Sequence, residues 1–385
     1  MTVLRNVRIW DGVSESYAQF DSLRIEGERI AAIGEAPDSR DARDFSGLTL
    51  LPGLIDGHVH LCLDPDIRAP ADQPSGDAVR DAMPARLRRM AAAGITTARD
   101  LGGGEWIDLE MRDRLAAGEL VGPRLVCSGQ PITSPGGHCH FWGGEASDTE
   151  QALAVLERQV EHGVDLIKVM ATGGSLTPGS QPVDPQFPQP VLEAVVEAAG
   201  AHGRHVAAHC HGTAGIRNAA NAGVRTIEHC SWVGTAGWHT DYSHEVAESI
   251  AKGGAFVSPT INSGWKRNLG RQDYEARVGA NFDRMREAGV RLMASTDAGI
   301  PGVYHHDLPG ALPYFSHFAR LSPVETLRTA TSNGAEAIGL GEVTGRIEVG
   351  LAADLLVVDG DPLVDLNVLA APAHVVARGR FVEQN

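Results

Sequence analysis

Six residues in this chain are of types that hold metal ions and stand at the ends of, or inside, short apolar runs: His58, His60, Lys168, His209, His229 and Asp297. His58 and His60 follow Asp56-Gly57 at the end of one such run. Residues i and i+2 of a strand point the same way, so the two imidazoles form a ready clamp. Lys168 lies inside the apolar segment Leu166-Ile167-Lys168-Val169-Met170. His209 and His229 end two further runs, and another leads into Asp297. Singly, each has an ordinary explanation: a solvated or core histidine, a snorkelling lysine or a helix-capping aspartate. Jointly, six ligand-competent residues at the ends of five strands point to a metal centre. Mixed imidazole and carboxylate ligands suit zinc, with manganese, cobalt or iron as alternatives.

Such a site requires elements that bring distant strand ends together. Strands are predicted at 55–60, 96–100, 124–128, 166–170, 205–209, 226–229, 256–260 and 291–295. Helices are predicted between and after them, at 78–93, 107–117, 149–161, 190–201, 214–222, 245–252, 274–288 and 323–338. Gly94, Gly118, Gly163, Gly203, Gly223, Gly253 and Gly289 are the expected helix stops. Eight strand–helix units predict an α/β fold of the (β/α)8 TIM-barrel type over residues 56–344, with catalytic groups at the C-terminal ends of the strands. A doubly wound open sheet is the alternative, but no G-x-G-x-x-G fingerprint accompanies it. Residues 1–55 and 345–385 read instead as strands and turns, including a hairpin around Glu26-Gly27-Glu28. The two ends are therefore expected to share one small β-sandwich domain.

Composition narrows the partners. Lys and Arg number 33 against 49 Asp and Glu, a net charge of −16. Nucleic acid and anionic membranes demand a basic surface, so neither is an expected partner. No run of about 18 apolar residues is available to span a bilayer. The first residues carry no signal-peptide core, and the five cysteines form no C-x-x-C pair. A soluble cytoplasmic protein acting on a small molecule is the expectation.

The chain resembles the amidohydrolase superfamily over essentially its whole length. The resemblance rests on Leu51-Pro52-Gly53-Leu54-Ile55-Asp56-Gly57-His58-Val59-His60, Asp165-Leu166-Ile167-Lys168, Val206-Ala207-Ala208-His209, Ile227-Glu228-His229 and Ser295-Thr296-Asp297. The tail from Gly345 to Leu355 is also typical. The resemblance implies two divalent metal ions. His58, His60 and Asp297 would hold one, and His209 and His229 the other. Lys168, as N6-carboxylysine, would bridge them. It further implies attack by metal-bridged hydroxide on a carbonyl-like carbon, with Asp297 moving the proton. A homo-oligomer is expected on the same ground.

Gly136-Gly137-His138, Ala171-Thr172-Gly173-Gly174 and His209-Cys210-His211-Gly212 resemble the imidazolonepropionase-related group, which includes Xaa-Pro dipeptidases. Mononuclear deaminases form the alternative, but the His-x-x-Glu that they carry after strand five is missing here. A lactone or ester hydrolase at the same metal pair is a further alternative. His138 is expected to hydrogen-bond the scissile carbonyl, and His140, His211, Trp232 and Tyr304 to touch substrate. Aromatic groups there would favour an apolar or aromatic substrate. Arg68, Lys266 and Arg267, with Tyr304 or Tyr314, are candidates to meet a substrate carboxylate.

Overall fold

The computed structural model describes residues 1–34 and 42–383 as an α/β protein. Strands Leu54–Val59, Ile95–Asp100 and Arg124–Cys127 form one parallel sheet. Ile167–Met170, Val206–Gly212, Thr226–Val233, Phe256–Ser258 and Arg291–Leu292 form a second, pairing in chain order. Isolated parallel bridges, Ile132 to Val169 and Val59 to Ala298, span the two gaps between these sheets. Helices cover the parallel strands, so residues such as Leu54 and Ile55 are buried whichever way they point. Near the strand starts, Ile55, Val126, Leu166, Ala207, Phe256 and Met293 meet in one apolar cluster. That plug leaves the opposite ends of the strands for polar side chains.

The chain ends supply two other sheets. One orders Arg29–Ile33, Leu23–Glu26, Thr2–Arg5 and Ala42–Asp44. The other orders Arg380–Phe381, Pro372–Ala377, Leu355–Asp359, Leu48–Pro52 and Arg8–Ile9. Leu4, Ile25 and Ile30 from the first share a core cluster with Leu50, Leu355 and Val376 from the second.

Several boundaries differ from the sequence reading. Strands Val206–Gly212 and Thr226–Val233 run past His209 and His229. Phe256–Ser258 and Arg291–Leu292 stop short instead. The expected final helix is two, Pro323–Thr329 and Ser332–Ala337, separated by Thr331 at φ −133° and ψ −99°. The C-cap predicted at Gly253 falls on Gly254, whose φ is 71°. Helix Leu308–Ala319, which contains Pro309 and Pro313, has no counterpart in the sequence reading. Pro309 is tolerated in its first turn, where an N–H has no intrahelical acceptor. Among the described residues no helix is long and apolar enough to cross a membrane.

Candidate metal centre

Strand Leu54–Val59 carries His58 and leads directly into His60. The Nε2 atoms of these histidines lie 3.2 Å apart. Asp297 Oδ1 is 3.3 Å from the first and 3.4 Å from the second. The opposite ring nitrogens are already engaged. His58 Nδ1 is 3.1 Å from Glu228 Oε2, and His60 Nδ1 is 2.8 Å from the Gly102 carbonyl. A nitrogen facing an acceptor must carry the proton, which leaves Nε2 of each ring as a lone pair. Burial, the largest influence, lowers the His58 pKa to about 4 and keeps its ring neutral near pH 7. Two lone pairs and a carboxylate oxygen thus converge on one point. They repel one another unless a cation stands among them.

A second group adjoins the first. Ligand atoms of His209, His211 and His229 all lie within 4.8 Å of one another. The His58 and His229 ring centroids are 5.2 Å apart. His209 Nε2 meets the Gly173 carbonyl at 3.1 Å, which leaves Nδ1 as its lone pair. His229 Nδ1 meets Thr260 Oγ1 at 2.9 Å, and His211 Nδ1 meets Ser231 Oγ at 3.0 Å. His211 therefore stands closer to the candidate ligands than its expected part as a substrate contact required. Lys168 is fully buried, and its Nζ has no hydrogen-bond partner among the described residues. Such an orphaned amine fits a group that awaits a further atom. Burial lowers its pKa to about 8, against the pull of Glu228 and Asp297.

Local backbone shapes this arrangement. His229, Thr260 and Asp297 adopt φ of 66°, 53° and 61°, a left-handed conformation that costs most side chains energy. At Gly57 a Cβ would sit 1.8 Å from the flexible end of Met293 and 3.1 Å from the Ala294 carbonyl oxygen, so a larger residue there would require Met293 to move. A Cβ on Gly174 would fall 2.5 Å from the His138 ring, so glycine admits that histidine.

Both groups open into a cavity of about 680 Å³. His138 lines it, with its ring centroid 4.5 Å from that of His209 and its buried Nδ1 unpartnered. His211 lines it as well. The other expected substrate contacts fall elsewhere. Trp232 is fully buried against Tyr242, because its strand continues past His229 and turns the indole into the core. Tyr304 donates to Asp66 at 2.5 Å and lines a separate surface recess. His140 opens the short 3-10 helix His140–Trp142 and lies outside the cavity wall; Trp142 packs against His60 in its place. Of the carboxylate candidates, Arg68 and Arg267 reach the cavity, whereas Lys266 and Tyr314 do not.

Sequence reasoning missed the supports beneath the ligands. Glu228 and Arg99 are both fully buried and pair at 2.7 Å. Arg99 also donates to the Gly57 carbonyl at 2.7 Å and to Thr226 Oγ1 at 2.9 Å. Although burial opposes it, Arg99 with His58 holds the Glu228 carboxyl below the usual carboxylate range. Asp56 accepts from Thr296 at 2.6 Å and so ties the first strand to the Asp297 segment. His305 Nε2 faces the His60 carbonyl at 3.0 Å. The one signal that could have found Glu228 is its place directly before His229, as a charge on a strand predicted to be buried.

Residues 49–382 match the amidohydrolase family, and the chain belongs to that family. It is a C–N bond hydrolase. Ochratoxinase of Aspergillus niger is 27% identical over 365 residues, covering 85% of this chain and 73% of that one. Imidazolonepropionase of Chloroflexus aggregans is 25% identical over 412 residues, covering 94% and 91%. A crystal structure of a Xaa-Pro dipeptidase with methionine bound in its active site superposes with a TM-score of 0.84 at 27% identity, covering 99% of each chain.

Proposed function

We propose that this chain is a binuclear metal-dependent hydrolase of the imidazolonepropionase-related, Xaa-Pro dipeptidase-like group. Its substrate is a small amide or peptide with an apolar or aromatic group. The observation that carries this reading is the convergence of His58 Nε2, His60 Nε2 and Asp297 Oδ1 within 3.4 Å of one another. In this reading the two parallel sheets make one eight-stranded barrel, and both chain ends build a β-sandwich domain.

His58, His60 and Asp297 would hold one ion, and His209 and His229 the other. Two divalent ions, zinc foremost, would supply a water of lowered pKa and polarise the substrate carbonyl. Lys168 lies between the groups in this reading. Its neutral amine, accessible because burial lowers the pKa to about 8, is the form that captures carbon dioxide. An N–C bond forms, a proton leaves, and the resulting carbamate offers the two anionic oxygens that an amine lacks. Asp297 accepts the attacking water's proton and returns it to the leaving nitrogen. His138, buried with Nδ1 unpartnered, is positioned to donate to the carbonyl oxygen. The aromatic wall of Trp238 and Trp265 suits an apolar group.

Metal analysis of the purified protein tests this reading, followed by a screen of N-acyl amino acids, Xaa-Pro dipeptides, aryl amides, carbamates and lactones. Near two metals per chain with cleavage of one amide class is expected. Chelation should abolish that cleavage, and restoring zinc should recover it. One metal, with ammonia released from a heterocyclic amine, would replace it with the deaminase reading. Asp297→Asn should lower kcat by about a hundredfold or more, the scale of a lost general base. Its thermal unfolding should stay close to that of the parent. An unchanged kcat removes Asp297 from proton transfer.

A further inference from the structure

The resemblance gives one histidine of strand Val206–Gly212, His209, to a metal ion, yet the strand carries a second histidine two residues on. His209-Cys210-His211 repeats the spacing of His58-Val59-His60. Residues two apart on a strand face the same way, and both rings line the metal-centre cavity. The local backbone holds His211 there. The pairing register slips at this point, so that Cys210 lies opposite His229 but Gly212 lies opposite Val233. Such irregularities re-aim side chains beside functional sites. The His211 N–H donates to Thr172 Oγ1 at 3.0 Å.

Three observations make His211 a ligand rather than a neighbour. First, the three rings form a nearly equilateral triangle. The centroids of His209 and His211 are 4.5 Å apart, those of His211 and His229 4.4 Å, and those of His209 and His229 4.5 Å. Metal–nitrogen bonds of about 2 Å, at right or tetrahedral angles, place ligating imidazole centres about 4.5–5 Å apart. His138 also packs 4.5 Å from His209, but it stands outside the group whose ligand atoms all lie within 4.8 Å of one another. Second, one ring nitrogen is already engaged. His211 Nδ1 lies 3.0 Å from Ser231 Oγ, a hydroxyl on the strand that carries His229. That bond takes up Nδ1 and leaves Nε2 as the atom for a metal. Third, all three histidines are buried. Imidazoles so close together and so far from water cannot all be protonated, so they offer lone pairs instead of charge.

We propose that His211 is a third imidazole ligand of the ion held by His209 and His229. The protein then carries two H-x-H clamps, each closed by a residue from another segment: Asp297 for the first and His229 for the second. This rests on the binuclear reading for the presence of a second ion, and Lys168, as a carbamate, remains the anionic ligand there. The two sites differ in chemistry. Two imidazoles and a carboxylate accept zinc or manganese, whereas three imidazoles favour zinc or cobalt over manganese.

Cobalt(II) tests this without turnover, because its visible spectrum follows the number and type of its ligands. The purified protein would be stripped by chelation, reconstituted with cobalt, and followed by absorbance and by metal analysis. The parent is expected to bind two ions per chain. His211→Ala should keep the ion of His58, His60 and Asp297 and lower the affinity for the other by more than about a hundredfold, beyond the usual cost of losing an outer hydrogen-bond partner. Ser231→Ala removes only such a partner and should cost about tenfold to a hundredfold. His211→Phe keeps a ring against His229 without its nitrogens, so it covers the case in which the alanine variant misfolds; it should lose the same ion. Two ions held at parent affinity with an unaltered cobalt spectrum in the His211 variants overturn the assignment, as does a loss no larger than that in Ser231→Ala. A parent that binds one ion, released by His211→Ala, keeps the three-histidine site and overturns the binuclear reading. Two ions in the parent and in every variant do the reverse.

Discussion

Lys168→Ala is expected to lose one of two bound metals and about a thousandfold in hydrolysis, the upper range for removing one preorganised electrostatic partner. Lys168 is fully buried in strand Ile167–Met170, and no hydrogen bond satisfies its Nζ among the described residues. A purely structural lysine at such a position would be costly to keep, because a buried charge needs a partner. Alanine removes the amine together with any group built upon it. It leaves His58, His60 and Asp297 in place, so an ion that they would hold should remain. Metal content by mass spectrometry and kcat measured on the same sample would check both halves. Two metals and full turnover in the variant would falsify the bridging role. Loss of activity with both metals retained would confine Lys168 to electrostatics.

The second large effect should come from a residue that touches no substrate. Glu228→Ala is expected to destabilise the protein by about 3–5 kcal/mol, the cost of leaving one member of a buried ion pair alone. Its partner Arg99 is fully buried, with hydrogen bonds to Gly57 and Thr226 but no other carboxylate in contact among the described residues. The same change frees His58 Nδ1, whose proton fixes which nitrogen the ring offers to a metal. Metal affinity should therefore fall by about tenfold to a hundredfold. Denaturant unfolding of the metal-free protein separates the two consequences. Glu228→Gln keeps the shape and an acceptor for His58, so it should recover part of the metal affinity. A Glu228→Ala protein as stable as the parent would show that Arg99 finds water or another partner.

Both predictions illustrate what the chain reveals locally. The approach of His58 to His60 was legible because residues two apart on a strand face the same way. The burial of Lys168 was legible from its place inside an apolar run. Helix Thr149–Glu161 was read to the residue, since Asp148 caps its start by accepting from the Gln151 N–H. By contrast, Trp232 and Tyr304 were placed at the site because aromatic residues near strand ends suit a substrate. Trp232 went into the core when its strand continued for several residues. Tyr304 was drawn to Asp66 at the surface.

Sequence motifs carried the resemblance to the family, and amino-acid type and spacing indicated the alternation of strands and helices and a set of candidate metal-holding side chains. Those properties depend on neighbours a few residues apart. Only the tertiary structure decided that His211 joins His209 and His229, and that Arg99 braces His58 through Glu228. It alone brought Arg267, Arg271 and Arg277 into the cavity of the histidines. Each of these contacts joins segments separated by many residues or depends on where a loop returns. Long-range packing sets such distances, and no local periodicity encodes them.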